Sequence, residues 1–126
     1  MDLLLDTHAF IWWDSSDRQL GSAAATAIAD VTNRVFVSAA SVWEIAVKRK
    51  SGRLAFRGSP HQAIARNGFL LLPISGDHAE AAADLPPIHQ DPFDRILIAQ
   101  ALARSLVLVT ADSQIGQYAV PQLWAR

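Results

Sequence analysis

Short apolar runs alternate with longer helix-like segments along the whole of this 126-residue chain. The runs at 3–5, 35–37 and 106–109 consist of leucine, valine and phenylalanine, with no polar residue at alternate positions. Such runs are typical of strands that are buried on both faces, as in parallel sheets. Strands that alternate with helices form βαβ units, whose crossovers cover the sheet. The pattern predicts an α/β fold, a three-layer α/β/α arrangement around a central, mostly parallel sheet of 4–5 strands.

Capping residues and turn signals set the expected limits of each element. Ser41 is expected to open one helix, Gly68 to stop another and Pro86-Pro87 to close a third. The expected strands are 3–5, 35–37, 69–72, 106–109 and, at the edge, 123–124. The expected helices are 7–13, 23–31, 41 to about 51, 60–67, 76–85, 92–105 and a short one after Asp112. No linker, repeat or low-complexity tract occurs, so residues 1–126 are predicted to form one domain.

Four acidic residues lie where such a sheet would bring them together. Asp6 and Asp112 follow apolar runs, and Glu44 and Asp94 lie in the first turns of predicted helices. In open parallel sheets, sites form at the carboxyl ends of the strands. Carboxylates gathered there repel one another, and a divalent cation relieves that repulsion. Oxygen ligands favour Mg²⁺ or Mn²⁺, so the pattern indicates a metal site suited to phosphodiester chemistry.

Most of these carboxylates also have a purely structural explanation. Asp6 suits the N-cap of the helix that follows it, and Asp112 could cap a helix in the same way. Ser41 and Glu44 match a capping box, and Glu44 could pair with Lys48 one helical turn later. Taken one at a time, Asp6 and Glu44 are better explained as structural residues.

The segment around Asp94 favours chemistry more clearly. Asp91 suits the N-cap of a helix, Pro92 its first position and Asp94 its third. The sequence ILIAQALA that follows predicts a buried helix, in which a buried Asp94 would need a partner. Because Asp91 already provides the cap, Asp94 is available for chemistry. Thr110, beside Asp112, could order a metal-bound water.

Composition excludes several other kinds of protein. The chain has no cysteine, which rules out disulfides and thiolate metal sites and fits a reducing, cytoplasmic location. The four histidines lack the spacing of a zinc site, and no phosphate-binding glycine loop or serine-nucleophile motif occurs. The amino terminus lacks the basic region of a signal peptide, and no apolar run approaches the roughly 18 residues of a membrane span.

The net charge of −1 conceals an uneven distribution. Residues 45–76 contain no acidic residue, whereas their basic residues are Lys48, Arg49, Lys50, Arg53, Arg57 and Arg66. A basic segment beside an acidic site suits a metal-dependent nuclease, and Arg49, Lys50 and Arg53 are the candidates for contact with a nucleic-acid backbone. The alternative is structural, because cations at the C-terminus of a helix complement its dipole.

Four segments of the chain carry a resemblance to a known family. They are LLLDTHAFIWW, SAASVWEIAVKRKSGRL, HQDPFDRILIAQA and LVLVTAD, in the order and spacing found in PIN-domain proteins. The resemblance spans nearly the whole chain and is strongest to the VapC-type toxins of bacterial type II toxin–antitoxin pairs. The second and third segments are quite specific, whereas a terminal LLLD is not.

The resemblance implies a compact α/β/α domain and a Mg²⁺-dependent endoribonuclease that is frequently dimeric and is neutralised by a co-expressed antitoxin. Carried over by motif, Asp6, Glu44, Asp94 and Asp112 would hold one or two Mg²⁺ ions, with Mn²⁺ as an alternative. Asp91 belongs to the same motif. The predicted activity is cleavage of RNA phosphodiester bonds by a water that the metal activates.

Two other functions are compatible with parts of the sequence. One is another Mg²⁺-dependent phosphoryl-transfer enzyme. A haloacid-dehalogenase-type phosphatase, however, has an aspartate where His8 stands, and a receiver domain has a lysine after a late strand, which this chain lacks. The other is a PIN fold that binds RNA or protein without cutting, and the intact acidic set argues against it.

Overall fold

Five parallel strands form one sheet at the centre of the molecule. The structure, a computed structural model, describes residues 1–126. The strands are β1 (Asp2–Leu5), β2 (Arg34–Ser38), β3 (Leu70–Leu72), β4 (Val107–Thr110) and β5 (Gln122–Trp124). Their order in the sheet is β3-β2-β1-β4-β5. From β1 the chain adds β2 and then β3 on one side of the sheet. It then crosses back and adds β4 and β5 on the other side of β1, so the strand order reverses between β1 and β4.

Helices cover both faces of this sheet. They are α1 (Thr7–Asp14), α2 (Ser22–Ala29), α3 (Ala39–Lys50), α4 (Pro60–Arg66), α5 (Gly76–Asp84) and α6 (Pro92–Arg104), and a 3₁₀ turn follows at Ile115–Gln117. None of the helices combines the length and the apolar character that crossing a membrane requires.

The core is divided in two by the sheet, because successive side chains of a strand point to opposite faces. On one face Leu3 and Leu5 pack with Phe10 of α1 in a buried cluster. On the other face Leu4 packs with Leu97 of α6 in a second buried cluster. Because both faces of the sheet are covered by apolar layers, the sequences of the strands are continuous apolar runs. The predicted three-layer α/β/α fold is confirmed.

Most element limits differ from the predicted ones by one or two residues, but the start of α3 differs in a way that matters. The helix begins at Ala39, and the Ser38 hydroxyl caps it by accepting a hydrogen bond from the amide of Ala40 at 3.0 Å. The predicted start at Ser41, and with it the capping box to Glu44, is therefore wrong. Ser41 lies fully buried inside the helix. Glu44 consequently lies in the second turn of α3, well away from the cap.

Candidate metal centre

The carboxyl ends of the central strands open into one cleft. The register places Leu5 beside Val37 of β2 and Val109 of β4. The residues that follow these three strands therefore lie at the same edge of the sheet. The strand order reverses between β1 and β4, and ligand sites of α/β sheets form at such a reversal. The cleft has a volume of about 330 Å³. Its charged lining consists of Asp6, Glu44, Asp91, Asp94, Asp112, Lys48 and Arg126, with His8 and His89 beside them.

Asp6 both caps α1 and lines the cleft. Its Oδ1 atom accepts a hydrogen bond from the amide of Ala9 at 2.8 Å, which confirms the predicted N-cap. The residue is only 5% exposed. Burial raises the pKa of Asp6, and hydrogen bonds from the Thr110 hydroxyl and the Ala9 amide oppose that rise. Capping and ligand binding are therefore compatible, because a carboxylate has two oxygens and the cap uses one of them.

Glu44 is held from two sides by residues of this chain. Its Oε1 atom accepts a hydrogen bond from the Thr7 hydroxyl at 2.6 Å, and its Oε2 atom accepts one from Lys48 Nζ at 2.5 Å. The Thr7 hydroxyl in turn lies 2.9 Å from that of Ser41. The predicted pairing of Glu44 with Lys48 is confirmed. These contacts fix the carboxylate at the cleft wall, where 3% of the residue is exposed.

Asp94 occupies the third position of α6, as predicted. The N-cap is Asp91, whose Oδ1 atom accepts hydrogen bonds from the amides of Phe93 at 2.8 Å and Asp94 at 3.3 Å. Burial, followed by the nearby charges of Asp91, Glu44, Asp6 and Asp112, raises the pKa of Asp94 to about 8. The cleft therefore holds more negative charge than its own cations neutralise.

This excess of negative charge indicates what kind of ligand the residues of the cleft can bind. The cleft lining contains one lysine, Lys48, and one arginine, Arg126, and Lys48 is already paired with Glu44. A divalent cation would reverse the repulsion that raises the pKa of Asp94. The donors are carboxylate oxygens, which are the ligands that Mg²⁺ and Mn²⁺ prefer. The residues present therefore fit a hard divalent ion.

Asp112 and Thr110 connect the end of β4 to the cleft. Asp112 Oδ1 accepts a hydrogen bond from the amide of Gln114 at 2.8 Å, and the Asp112 amide donates to the Thr110 hydroxyl at 3.0 Å. Thr110 is fully buried, and its hydroxyl favours the charged form of Asp6 and so lowers the pKa of that carboxyl. In the structure Thr110 thus joins two of the acidic residues. Its predicted contact with a metal-bound water stays a prediction.

His89 is a part of the cleft that the sequence analysis did not identify. Its Nε2 atom lies 3.0 Å from Asp94 Oδ2 and 3.0 Å from Asp112 Oδ2. The residue is 6% exposed. One atom from each of His89, Asp94 and Asp112 can be chosen so that all three lie within 4.8 Å of one another. The sequence signal is that His89 begins the segment HQDPFDRILIAQA, two residues before the cap Asp91.

The predicted RNA-binding residues lie outside the cleft lining. Arg49, Lys50 and Arg53 are exposed near the end of α3. Arg49 donates hydrogen bonds to the carbonyls of Phe56 and Gly58, and Arg53 donates one to the Ser51 hydroxyl at 2.9 Å. Two of the three thus have local structural contacts.

Known proteins resemble the chain over nearly its full length. Its sequence matches the PIN domain family model over residues 3–121. It is 29% identical over 124 residues to "Ribonuclease VapC22" from Mycobacterium tuberculosis, with 95% of this chain and 94% of that protein covered. A solved toxin–antitoxin complex from Klebsiella pneumoniae contains a similar chain, with TM-score 0.70, 21% identity and 98% of both chains covered. The Rickettsia felis VapBC2 complex bound to a promoter DNA fragment contains another, with TM-score 0.68, 12% identity and 98% of both chains covered. The predicted resemblance is confirmed, and the chain belongs to the PIN domain family.

Proposed function

We propose that this chain is a metal-dependent endoribonuclease and the toxin of a toxin–antitoxin pair. The observation that carries the proposal is the group of five carboxylates that line one cleft at the strand-order reversal, one of them with a pKa raised to about 8. Membership of the PIN domain family supports it, as do a relative named as a ribonuclease and structural neighbours from toxin–antitoxin complexes. Residues 1–126 would form one nuclease domain.

Asp6 and Asp94 would hold one or two Mg²⁺ ions, with Glu44 and Asp112 binding directly or through water, and Mn²⁺ could replace Mg²⁺. The metal would supply an activated water and stabilise the charge that develops on the scissile phosphate. The remaining chemistry belongs to the chain's own residues, which position the ion, the water and the RNA.

Among the acidic residues, Asp112 is better placed than Glu44 to orient the attacking water. Both oxygens of each residue have hydrogen-bond partners, so exposure separates the two residues, and the side chain of Glu44 is only 5% exposed. The side chain of Asp112 is 34% exposed and therefore open to solvent. Glu44 would then serve as a fixed negative charge at the wall of the site.

Removal of metal is the direct test of this function. The purified chain should cleave a mixture of cellular RNAs in the presence of Mg²⁺, and an excess of EDTA should abolish the cleavage. Restoring free Mg²⁺ should restore it, because the chelator removes the ion without altering the chain. Cleavage that persists at an unchanged rate in EDTA would contradict a metal-dependent mechanism, and the sequenced RNA ends would reveal the site that is cut.

The basic surface formed by Arg49, Lys50 and Arg53 is proposed to border the RNA path. Contacts with phosphates are ionic and release counterions, so each lost contact should flatten the dependence of log affinity on log salt by about one unit. The variant with Arg49→Ala, Lys50→Ala and Arg53→Ala should therefore bind RNA more weakly and with a shallower salt dependence.

This experiment needs an inactive background and a control for the loss of surface cations elsewhere. Binding is measured by fluorescence anisotropy of a labelled single-stranded RNA, with Asp94→Asn present in every variant to prevent cleavage. The control variant carries Arg18→Ala and Arg104→Ala, which remove exposed cations from outside the basic segment. Unchanged affinity and slope in a folded triple variant would assign this surface to structural roles, of which the Arg49 hydrogen bonds to Phe56 and Gly58 are the example.

A cognate antitoxin and a second copy of the chain are the proposed protein partners. The structural neighbours come from toxin–antitoxin complexes. The surface also carries apolar side chains that suit protein contact, among them Trp43, which is 63% exposed and packs edge-on against Phe93 with ring centroids 5.1 Å apart. Location in the cytoplasm stays a prediction.

A further inference from the structure

We infer that His89 is a positioning residue: its Nε2–H group holds Asp94 and Asp112 in place, and the imidazole is not itself a metal ligand. The inference rests on the proposed function, since it concerns the same cleft. It assigns a role to His89, for which the sequence motifs gave none.

The hydrogen bond at the other ring nitrogen establishes which nitrogen carries the proton. His89 Nδ1 accepts a hydrogen bond from the backbone amide of Asp91 at 3.2 Å. A proton on Nδ1 would face that N–H group, so the neutral ring carries its proton on Nε2. Nε2 then donates a hydrogen bond to Asp112 Oδ2 at 3.0 Å, and Asp94 Oδ2 lies in close polar contact with Nε2 at the same distance. Binding a metal through Nε2 would need a lone pair that this tautomer lacks.

The backbone of His89 is fixed by two further contacts. Its amide donates a hydrogen bond to the hydroxyl of Tyr118 at 2.8 Å, and that hydroxyl donates to the carbonyl of Pro86 at 2.7 Å. Its carbonyl accepts a hydrogen bond from Arg95 Nη1 at 3.0 Å. Hydrogen bonds therefore hold the backbone of His89 on two sides and its ring at Nδ1, and the residue is buried. A donor fixed in this way can define the positions of the two carboxylates that it contacts.

The carboxylates of Asp94 and Asp112 can contact His89 and still have oxygen lone pairs left to bind an ion. Asp94 Oδ2 is directed to His89, while Oδ1 receives no hydrogen bond from the chain. In Asp112, Oδ1 accepts from the amide of Gln114 and Oδ2 faces His89. His89 thus contacts one oxygen of each carboxylate, backbone amides also hold Asp112, and both carboxylates keep lone pairs for an ion. Outer contacts of this kind orient metal ligands and typically change metal affinity by about 10-fold to 100-fold.

The opposing assignment is that His89 completes a three-residue ligand set with Asp94 and Asp112, whose ligand atoms lie close enough. The two assignments differ in the state of one nitrogen. A positioning residue keeps its Nε2–H when metal binds, whereas a ligand must lose it.

Side-chain ¹⁵N NMR of the full chain, recorded without metal and during a Mg²⁺ titration, shows directly whether Nε2 of His89 carries a proton. His78 is an internal reference, because its Nδ1 atom also accepts a backbone hydrogen bond, from Ser75 at 3.2 Å, and it lies outside the cleft lining. We expect both rings to show the Nε2–H tautomer throughout. An Nδ1–H tautomer of His89 without metal, or loss of its Nε2–H as Mg²⁺ binds, would overturn the inference. Absence of Mg²⁺ binding would instead overturn the proposed function.

Two variants test the same role through metal affinity. His89→Ala removes the donor, and His89→Gln replaces it with an amide N–H₂ that can reach the same two carboxylates. Calorimetric titration with Mg²⁺ should show a loss of about 10-fold to 100-fold for His89→Ala. His89→Gln should recover most of that loss. If the glutamine variant folds and is as impaired as the alanine variant, restored donation is not what the site needs, and the inference is wrong.

Discussion

Asp94→Asn should reduce metal-dependent RNA cleavage by about 10³-fold, because asparagine keeps the shape of the side chain and removes its charge. The helix should survive, since its N-cap is Asp91 and not Asp94. The metal-free variant should also melt at a higher temperature than the parent chain above neutral pH. The reason is that burial and four neighbouring carboxylates disfavour the charge on Asp94. Loss of activity together with gained stability is typical of a residue retained for function.

Two controls separate this result from a general effect on helices. Asp91→Asn should be milder, because asparagine also caps helices well. Asp77→Asn removes an acidic residue from the first turn of α5, outside the cleft lining, and should leave cleavage unchanged. Initial rates on a defined RNA and melting curves without metal are the measurements. A folded Asp94→Asn protein that cuts at the parental rate would remove Asp94 from the active site.

The sheet and the positions of most acidic residues could be predicted because local sequence determines them. Apart from Asp2 at the start of β1 and Thr110 at the end of β4, these two strands are apolar, as buried parallel strands should be, and an acidic residue follows each within two positions. Asp91 and Pro92 are typical of a helix start, so they predict where α6 begins and place Asp94 at its third position. Strand ends and helix starts are local features, and the parallel fold then brings them together.

The start of α3 could not be predicted in the same way, because two serines compete for it. Ser38 and Ser41 are both good caps, and the spacing from Ser41 to Glu44 fits a capping box. Long-range contacts decide between them: Ser41 is buried beside the Thr7 hydroxyl, which also binds Glu44. Thr7 lies 34 residues away from Ser41 in the chain, so the local pattern contains no information about it.

His89 and Arg126 were missed for a related reason. His89 meets Asp112 across 23 residues, and no spacing rule covers such a pair. Arg126 reaches the cleft because the segment after β5 packs against Gly21, where a Cβ atom would lie 2.3 Å from the Arg126 backbone carbon. The guanidinium then lies over the Trp12 ring, 5.6 Å from its centroid. Both placements are consequences of the tertiary fold.

Metal binding should depend steeply on pH, with an apparent affinity for Mg²⁺ that falls about 10-fold for each unit below pH 8. The pKa of Asp94 is raised from its ordinary value of 3.8 to about 8 in the folded chain. Below pH 8 this carboxyl therefore holds a proton that must leave before an ion can bind. Burial raises the pKa of Asp6 as well, which acts in the same direction.

The same shift makes the metal-free chain lose stability as pH rises from about 4 to about 8. In that range the folded state retains a proton on Asp94 that the unfolded state has released, so raising the pH favours unfolding. A bound divalent ion removes this penalty by stabilising the charged carboxylate. The rise in melting temperature caused by Mg²⁺ should therefore be larger at pH 8 than at pH 6.

Calorimetric Mg²⁺ titrations at pH 6, 7, 8 and 9, repeated in buffers of different ionisation enthalpy, measure both the affinity and the protons released. The parent chain should release close to one proton per ion at pH 7 if Asp94 dominates, and progressively less above pH 8. Asp94→Asn should bind Mg²⁺ more weakly at high pH and with a flatter pH dependence. The Asp77→Asn control should follow the parent chain. A parental affinity that is constant from pH 6 to pH 8 would contradict the raised pKa of Asp94, and an unchanged Mg²⁺ affinity in Asp94→Asn would exclude this carboxylate as a ligand.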